Sequence, residues 1–181
     1  MKRAVFLDRD GVICKEKNLF YRDSPITNPE QFEWIPESKK AFYFLSKLEN
    51  FLLVVITNQS VINKGLLNIE QFNKINQPIY NELKKYKKNL DGLYFCPHTP
   101  EERCECRKPK IGMLLQAKRD LNINLKESYF VGDKTSDIQT GKNAGCKTIL
   151  VNTGWGGKDY EFDIKPDFNI NNLLDMQLIL K

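Results

Sequence analysis

Short continuous apolar runs recur along the chain, and helical or polar segments separate them. Runs of this length are typical of strands buried on both faces of a sheet. The predicted strands are residues 4–7, 51–56, 92–95, 129–131 and 148–151, with a weaker one at 168–170. Apolar positions with helical spacing predict helices over residues 37–50, 69–88, 111–121, 136–144 and from 171 onward. Strands that alternate with helices predict an α/β fold with a parallel sheet.

Proline and the polar segments refine this outline. Pro78 lies inside the predicted helix 69–88 and predicts a kink or break there. Residues 14–36 contain several prolines and predict a long loop after the first strand. Because the 181 residues show no repeat, low-complexity tract or linker, a single domain over residues 1–181 is expected.

Composition excludes some classes of protein. The hydrophobic content of 41% and the charged content of 28% are ordinary for a globular domain. The net charge of +5 suits an anionic substrate and does not require nucleic acid. No apolar run approaches the length of a membrane span. Since Met1 to Arg3 lead directly into a short strand instead of a signal peptide, a cytoplasmic location is expected.

Two carboxylates follow the first predicted strand. Asp8 and Asp10 are separated by one residue, and Gly11 comes directly after them. Alternate residues of an extended chain point the same way, so the two carboxylates could share one side. Carboxylates so close repel each other unless a cation lies between them. The pair therefore indicates a metal site or a nucleophile with an acid/base, and the alternative is a turn with solvated acids.

Three further polar groups follow other predicted elements. Residues 57–60 supply a hydroxyl and amides, and residues 107–108 supply two cations. Asp133 and Asp137 are one helical turn apart. Taken singly, residues 57–60 could be a polar loop, Asp133 a helix N-cap and Asp137 a solvated first-turn acid. Taken together at the carboxyl edge of a parallel sheet, where ligands bind, opposed charges indicate a site for Mg²⁺ and phosphate.

The four segments resemble, in order and spacing, the four motifs of the haloacid dehalogenase (HAD) superfamily of phosphohydrolases. They are Asp8-Arg9-Asp10-Gly11, Thr57-Asn58-Gln59-Ser60, Arg107-Lys108-Pro109 and Gly132-Asp133-Lys134-Thr135-Ser136-Asp137. The resemblance implies a HAD-type, Rossmann-like parallel sheet flanked by helices, without a large cap domain. It also implies an aspartyl-phosphate mechanism.

The resemblance assigns roles to individual residues. Asp8 would be the nucleophile and Asp10 the proton donor and acceptor, while Thr57 and Lys108 would stabilise the phosphoryl group. Mg²⁺ would be held by Asp8, Asp10 and Asp133, with Asp137 orienting the metal shell. The residues expected to contact substrate are Arg9, Asn58, Gln59, Ser60, Lys64 and Arg107.

A second metal site is predicted between residues 96 and 106. Three thiols and the only histidine of the chain fall there, at Cys96, His98, Cys104 and Cys106. This set suits tetrahedral Zn²⁺, and four protein ligands leave no position for water, so a structural role is expected. The alternative is a reduced, unliganded loop. Cys14 and Cys146 stand apart and are interpreted as small packing residues.

The cysteine loop narrows the resemblance within the superfamily. Cys-Pro-His before Cys-x-Cys-Arg-Lys-Pro is similar to the heptose-bisphosphate 7-phosphatases, and histidinol-phosphate phosphatases share the loop. Cys14 replaces a usual Asn, and residues 61–65 depart from the usual Gly-Ile-Ala-Arg-Gly, so the anomer preference stays open. The expected partner is a small sugar phosphate, with no nucleic acid and no membrane, and a monomer is expected.

Two other classes of function fit the sequence less well. A zinc knuckle that binds nucleic acid through residues 84–88 would need aromatic side chains interleaved with the cations, and only Tyr86 is present there. A non-catalytic HAD scaffold is disfavoured because Asp8, Asp10, Lys108 and Asp133 are all intact.

Overall fold

A parallel sheet of six strands forms the centre of the molecule. The computed structural model describes residues 1–16 and 25–180, so residues 17–24 of the predicted long loop lie outside the described part. The strands are β1 (Arg3–Leu7), β2 (Phe51–Asn58), β3 (Gly92–Cys96), β4 (Tyr129–Gly132), β5 (Lys147–Val151) and β6 (Phe168–Ile170). Their order across the sheet is β3-β2-β1-β4-β5-β6, and every neighbouring pair is parallel. The predicted α/β fold with a parallel sheet is confirmed.

Four α-helices and several short 3₁₀ segments connect the strands. The helices are α1 (Pro36–Ser46), α2 (Ile69–Lys85), α3 (Gly112–Leu121) and α4 (Thr135–Ala144). The 3₁₀ segments are Pro29–Gln31, Pro100–Glu102, Leu125–Glu127 and Leu173–Leu178. The start of α2 is fixed by Asn68, whose side chain accepts a hydrogen bond from the backbone amide of Gln71, while Gln71 bonds back to Asn68. Such reciprocal caps satisfy amides that have no partner inside the helix.

The helices cover both faces of the sheet. Val5 and Leu7 of β1 pack in one core with residues of α1 and α2, whereas Ala4 and Phe6 pack in a second core with residues of α3. This alternation follows from the two-residue period of a strand. All four side chains are fully buried. Because burying a large apolar side chain contributes about 1.5–3 kcal/mol, the two cores hold β1 firmly in the middle of the sheet.

One helix prediction is wrong, and another is wrong in part. The helix α2 is continuous from Ile69 to Lys85, so Pro78 does not break it, while a kink at Pro78 stays a prediction. Proline deprives the carbonyl four residues earlier of its partner, and here that residue, Lys74, is exposed, so water can take the vacant place. The closing helix expected from residue 171 is instead a 3₁₀ segment, Leu173–Leu178, with Leu173 and Met176 buried. Its three-residue period places these two side chains on the same side.

The connections leave the carboxyl edge of the sheet accessible. The described residues between β1 and α1 and between β2 and α2 contain no inserted domain. Within residues 1–16 and 25–180, no helix is long and apolar enough to cross a bilayer.

Candidate active site

A cleft of about 900 Å³ opens at the carboxyl edge of the sheet. It collects most of the side chains that the sequence predicted. Those that line it are Asp8, Asp10, Thr57, Asn58, Gln59, Ser60, Lys64, Arg107, Lys108 and Asp137. Parallel strands bring their carboxyl ends to one edge, so segments more than a hundred residues apart meet there.

Lys108 is the charge at the centre of the cleft. Its ammonium lies 2.8 Å from Asp8 Oδ1 and 2.6 Å from Asp137 Oδ1, and its side chain is only 4% exposed. Burial alone would lower the pKa of Lys108, but the carboxylates of Asp137 and Asp8 raise it above its ordinary value. The Asn58 side chain holds the backbone of Lys108 by accepting from its amide and donating to its carbonyl. Lys108 is therefore a fixed, fully charged cation against Asp8.

Three buried carboxylates lie close together at the edge of the sheet, and Lys108 contacts two of them. Oxygen atoms of Asp8, Asp133 and Asp137 lie within 4.8 Å of one another. Burial raises the pKa of Asp8 to about 7, against the opposing effect of Lys108, and the charges of Asp137 and Asp10 add to the rise. Burial, with Asp137 and Asp8, also raises the pKa of Asp133 well above its usual range. Lys108 and Lys134 together do not balance three carboxylates, so the site fits a further cation.

Asp133 shows where such a cation fits. Its Oδ2 accepts from the backbone amide of Trp155 at 2.8 Å, whereas its buried Oδ1 has no hydrogen-bond partner among residues 1–16 and 25–180. Gly11 and Gly154 approach the carboxylate so closely that a Cβ at either would lie 2.1 or 2.2 Å from Oδ2. A buried carboxylate oxygen without a donor, beside Asp8, is a suitable ligand for Mg²⁺, which prefers oxygen. Of the predicted ligands, Asp8 and Asp133 fit this metal.

Asp137 is placed to support its neighbours. One oxygen accepts from Lys108 and the other from the backbone amide of Lys134 at 3.2 Å. The side chain is 1% exposed, which excludes the alternative of a solvated first-turn acid. The N-cap alternative for Asp133 is also excluded, because the N-cap of α4 is Lys134.

Asp10 is held by a set of donors. Arg9 donates to both of its oxygens at 3.1 and 2.9 Å, and Gln59 Nε2 donates to Oδ2 at 2.9 Å. Although burial raises the pKa of Asp10, Arg9 together with the hydrogen bonds from Cys14 and Gln59 lowers it overall. Gln59 also donates to Thr57 Oγ1 at 2.9 Å, which leaves the hydroxyl hydrogen of Thr57 available to a ligand.

The structure gives Arg9 a different position from the one expected. Arg9 was expected to contact substrate, but its side chain is fully buried and does not line the cleft. Its guanidinium bonds to Asp10, lies 3.5 Å from Asn76 Oδ1 and sits over the Phe72 ring. As the residue between two acids of an extended segment, it points away from the ligand side. Arg9 therefore holds Asp10 and does not face the cleft.

The cysteine loop brings four metal-ligating atoms together. The sulfur atom of Cys96 lies 3.5 Å from that of Cys104 and 3.2 Å from that of Cys106. His98 Nδ1 lies 3.2 Å from Cys106 Sγ. Zn–S bonds of about 2.3 Å hold two sulfur ligands of a tetrahedral site roughly 3.8 Å apart, so only a small expansion is needed. All three cysteines are free thiols, and the set fits Zn²⁺.

The cysteine loop also positions a cation of the cleft. Arg107 donates from its backbone amide to Cys104 Sγ at 3.4 Å and from Nη1 to the carbonyl of His98 at 3.2 Å. Burial raises the pKa of Cys104, but the Arg107 amide and the neighbouring thiols lower it to about 7. The thiolate that a metal requires is thus favoured where the loop meets Arg107.

Several side chains of the cleft wall are not among the predicted site residues. Glu16, Lys134 and Trp155 are three of them. Lys134 lies within the predicted motif beside Asp133, and that position could have indicated it. Glu16 and Trp155 are hydrogen-bonded across 139 residues, and no sequence signal connects them.

Comparisons with known proteins agree with this geometry. The HAD-hydrolase-like family model matches residues 105–176. D-glycero-beta-D-manno-heptose-1,7-bisphosphate 7-phosphatase of Haemophilus ducreyi is 39% identical over 97% of this chain and 96% of its own. D-glycero-alpha-D-manno-heptose-1,7-bisphosphate 7-phosphatase of Campylobacter jejuni is 44% identical over 82% of this chain and 81% of its own.

A solved structure extends the likeness to three dimensions. D,D-heptose 1,7-bisphosphate phosphatase from B. bronchiseptica, complexed with magnesium and phosphate, superposes with a TM-score of 0.85. It is 30% identical, and the match covers 99% of this chain and 98% of that one.

The parallel sheet, the buried lysine and the carboxylates at its carboxyl edge define a phosphoric monoester hydrolase of the HAD type. Within that class, the chain belongs to the family of heptose-1,7-bisphosphate 7-phosphatases.

Proposed function

We propose that the enzyme removes the 7-phosphate of D-glycero-D-manno-heptose 1,7-bisphosphate in a Mg²⁺-dependent reaction. One observation carries the proposal: Lys108 bridges Asp8 and Asp137, and a neighbouring oxygen of Asp133 has no hydrogen-bond partner among the described residues. The names of the full-length relatives supply the substrate. Because one relative is named for the beta anomer and another for the alpha anomer, the proposal covers both.

The proposed chemistry begins with Asp8. Its carboxylate attacks phosphorus, the bond between phosphorus and the sugar oxygen breaks, and an aspartyl phosphate forms. Asp10 gives a proton to the departing oxygen and then takes one from the water that hydrolyses the intermediate. Lys108 and the hydroxyl of Thr57 bind the charge that develops on the phosphoryl oxygens. The lowered pKa of Asp10 favours its carboxylate in the free enzyme, so Asp10 must take up a proton before it can give one to the departing oxygen.

Asp8, the backbone carbonyl of Asp10 and Asp133 would hold Mg²⁺. When bound, it neutralises part of the charge that would keep an anionic carboxylate and an anionic phosphate apart. Asp137 would support these ligands indirectly, because it accepts hydrogen bonds from the ammonium of Lys108 and the backbone amide of Lys134. The Asp133 oxygen that lacks a partner in the described part of the chain supports this assignment.

We propose a structural Zn²⁺ in the cysteine loop. Four protein ligands complete a tetrahedral set, so the metal would organise the loop and direct Arg107 into the cleft.

Six strands in one sheet, covered on both faces, support the proposal that residues 1–181 are a single domain. A monomer remains our expectation.

Phosphate release from a small panel tests the function. The panel contains both anomers of heptose 1,7-bisphosphate and histidinol phosphate, each with Mg²⁺ present or omitted. We expect the highest kcat/KM on one heptose anomer, and only with Mg²⁺. A higher kcat/KM on histidinol phosphate would contradict this proposal and would favour a histidinol-phosphate phosphatase.

A further inference from the structure

Glu16, Lys134 and Trp155 form one cluster in the wall of the cleft, which we name the wall cluster. Glu16 Oε1 accepts from the ammonium of Lys134 at 2.7 Å, and Glu16 Oε2 accepts from the indole Nε1 of Trp155 at 2.7 Å. Lys134 Nζ also lies 5.6 Å from the centre of the Trp155 ring. The three residues follow β1, β4 and β5, so the cluster ties three loops of the carboxyl edge together.

The backbone around Trp155 is fixed to the phosphoryl-transfer site. The amide of Trp155 donates to Asp133 Oδ2 at 2.8 Å, and Thr153 Oγ1 donates to the carbonyl of Gly11 at 2.7 Å. The amide of Gly157 donates to the backbone carbonyl of Asp133 at 2.8 Å. The backbone of Trp155 therefore cannot shift relative to Asp133 without breaking several hydrogen bonds. A phosphate beside Asp133 would place its organic group within reach of this wall.

The indole offers a surface that the other cleft residues do not. Among the described residues, Trp155 and Tyr160 are the aromatic side chains that line the cleft, and Tyr160 is 81% exposed. Trp155 is half-buried, with its polar nitrogen already satisfied by Glu16. A tryptophan whose N–H is satisfied presents an apolar ring. The C–H surface of a sugar is the part of a sugar phosphate that packs on such a ring.

We propose that Trp155 is a specificity-determining residue that contacts the sugar of the substrate, and that Glu16 is the positioning residue that orients its indole. This inference rests on the proposed function, because it assigns the sugar-contacting surface of the same cleft. Lys134 balances the charge of Glu16 within the wall, which allows a carboxylate to hold the indole without facing an anionic ligand unpaired.

Kinetics separate a sugar contact from a structural role. Inorganic phosphate occupies the phosphoryl site without a sugar, so its inhibition constant is the internal reference for each variant. For Trp155→Ala, the ratio of the KM for the sugar phosphate to the Ki for phosphate rises about ten-fold, the upper range for an aromatic contact. The value of kcat changes by less than about three-fold, because the indole touches no group that donates or accepts a proton in the reaction.

Glu16 variants test the positioning role. Gln retains an oxygen that accepts from the indole, whereas Ala does not. We expect Glu16→Ala to raise the same ratio of KM to Ki. In Glu16→Gln the ratio should stay close to the wild-type value. Equal defects in the two variants would show that Glu16 acts through its charge and would overturn its positioning role.

Fluorescence reports the contact without turnover. The chain has two tryptophans, and Trp34 packs against Phe32 and Phe42 and does not line the cleft. In an Asp8→Asn, Trp34→Phe protein with Mg²⁺, we expect the sugar phosphate to change Trp155 emission more than inorganic phosphate does. Equal changes with the two ligands would contradict the sugar contact.

The outcomes distinguish this inference from the proposed function. If the wild type hydrolyses heptose bisphosphate but Trp155→Ala raises KM and Ki equally, only this inference fails. If another sugar phosphate is the best substrate, the heptose proposal fails and the same ratio is measured on that sugar. If no sugar phosphate is hydrolysed, both fail.

Discussion

Replacing Lys108 with methionine tests the electrostatics of the site most sharply. The change keeps most of the length of the side chain and removes the ammonium that lies 2.8 Å from Asp8 and 2.6 Å from Asp137. In Mg²⁺-free protein these two buried carboxylates would then lose the cation that both of them contact. Removing one partner of a buried ion pair costs about 3–5 kcal/mol of unfolding free energy, because the other charge stays buried.

The expected shift can be measured by thermal unfolding. For a domain of this size, each kcal/mol moves Tm by about 2–4 °C, so Lys108→Met should lower Tm by roughly 6–20 °C in Mg²⁺-free buffer that retains zinc. Saturating Mg²⁺ should recover part of the loss, since a cation that binds the folded state stabilises it. The Mg²⁺-induced rise in Tm should therefore be larger in the variant than in the wild type.

Lys74→Met is the matched control. Lys74 pairs with Glu70 on an exposed surface of α2, where an ion pair contributes about 0.3–0.5 kcal/mol. Its Tm should change by no more than about 2 °C and should not depend on Mg²⁺. If Lys108→Met unfolds at the wild-type temperature in Mg²⁺-free buffer, Lys108 does not compensate buried negative charge on Asp8 and Asp137.

Two further predictions concern the metal sites. Gly154→Ala would place a Cβ 2.2 Å from Asp133 Oδ2 at a φ of +58°, so Mg²⁺ affinity should fall by about 10–100-fold in a titration. Gly65→Ala, at a φ of +71° with no atom within 4 Å of the new Cβ, is the control that should keep wild-type affinity. Removal of zinc should lower Tm before it lowers kcat, whereas lost activity at unchanged Tm would contradict a structural role for the metal.

Much of the fold was accessible to sequence reasoning because the strands are buried on both faces. Residues 51–56 form a continuous apolar run, and the structure extends it by two residues to Asn58. Thr57 and Asn58 complete β2 because backbone hydrogen bonds to β3 continue past the apolar part of the strand. Pro78 could not be interpreted from sequence, because its effect depends on whether the freed carbonyl faces solvent.

For the site, too, the sequence predicted some features and only the structure revealed others. The spacing of the motifs indicated which residues meet, but not what each side chain does when buried. Arg9 illustrates the difference, since its guanidinium serves Asp10 from inside the fold. Asp137 is a second example, because only the packed structure reveals that Lys108 donates a hydrogen bond to one of its oxygens. The wall cluster joins positions 16 and 155, and a pairing over that distance is set by topology alone.

The central claim is that Asp8 receives the phosphoryl group. Its most direct test is acid-quenched turnover of heptose 1,7-bisphosphate with Mg²⁺, followed by peptide mass spectrometry, on the wild type and on Asp8→Asn. We expect a phosphorylated Asp8 in the wild type, and in the variant no phosphopeptide and phosphate release lower by at least about 10³-fold, with an unchanged circular dichroism spectrum. A phosphoryl group on another residue, or substantial release by Asp8→Asn, would contradict the account.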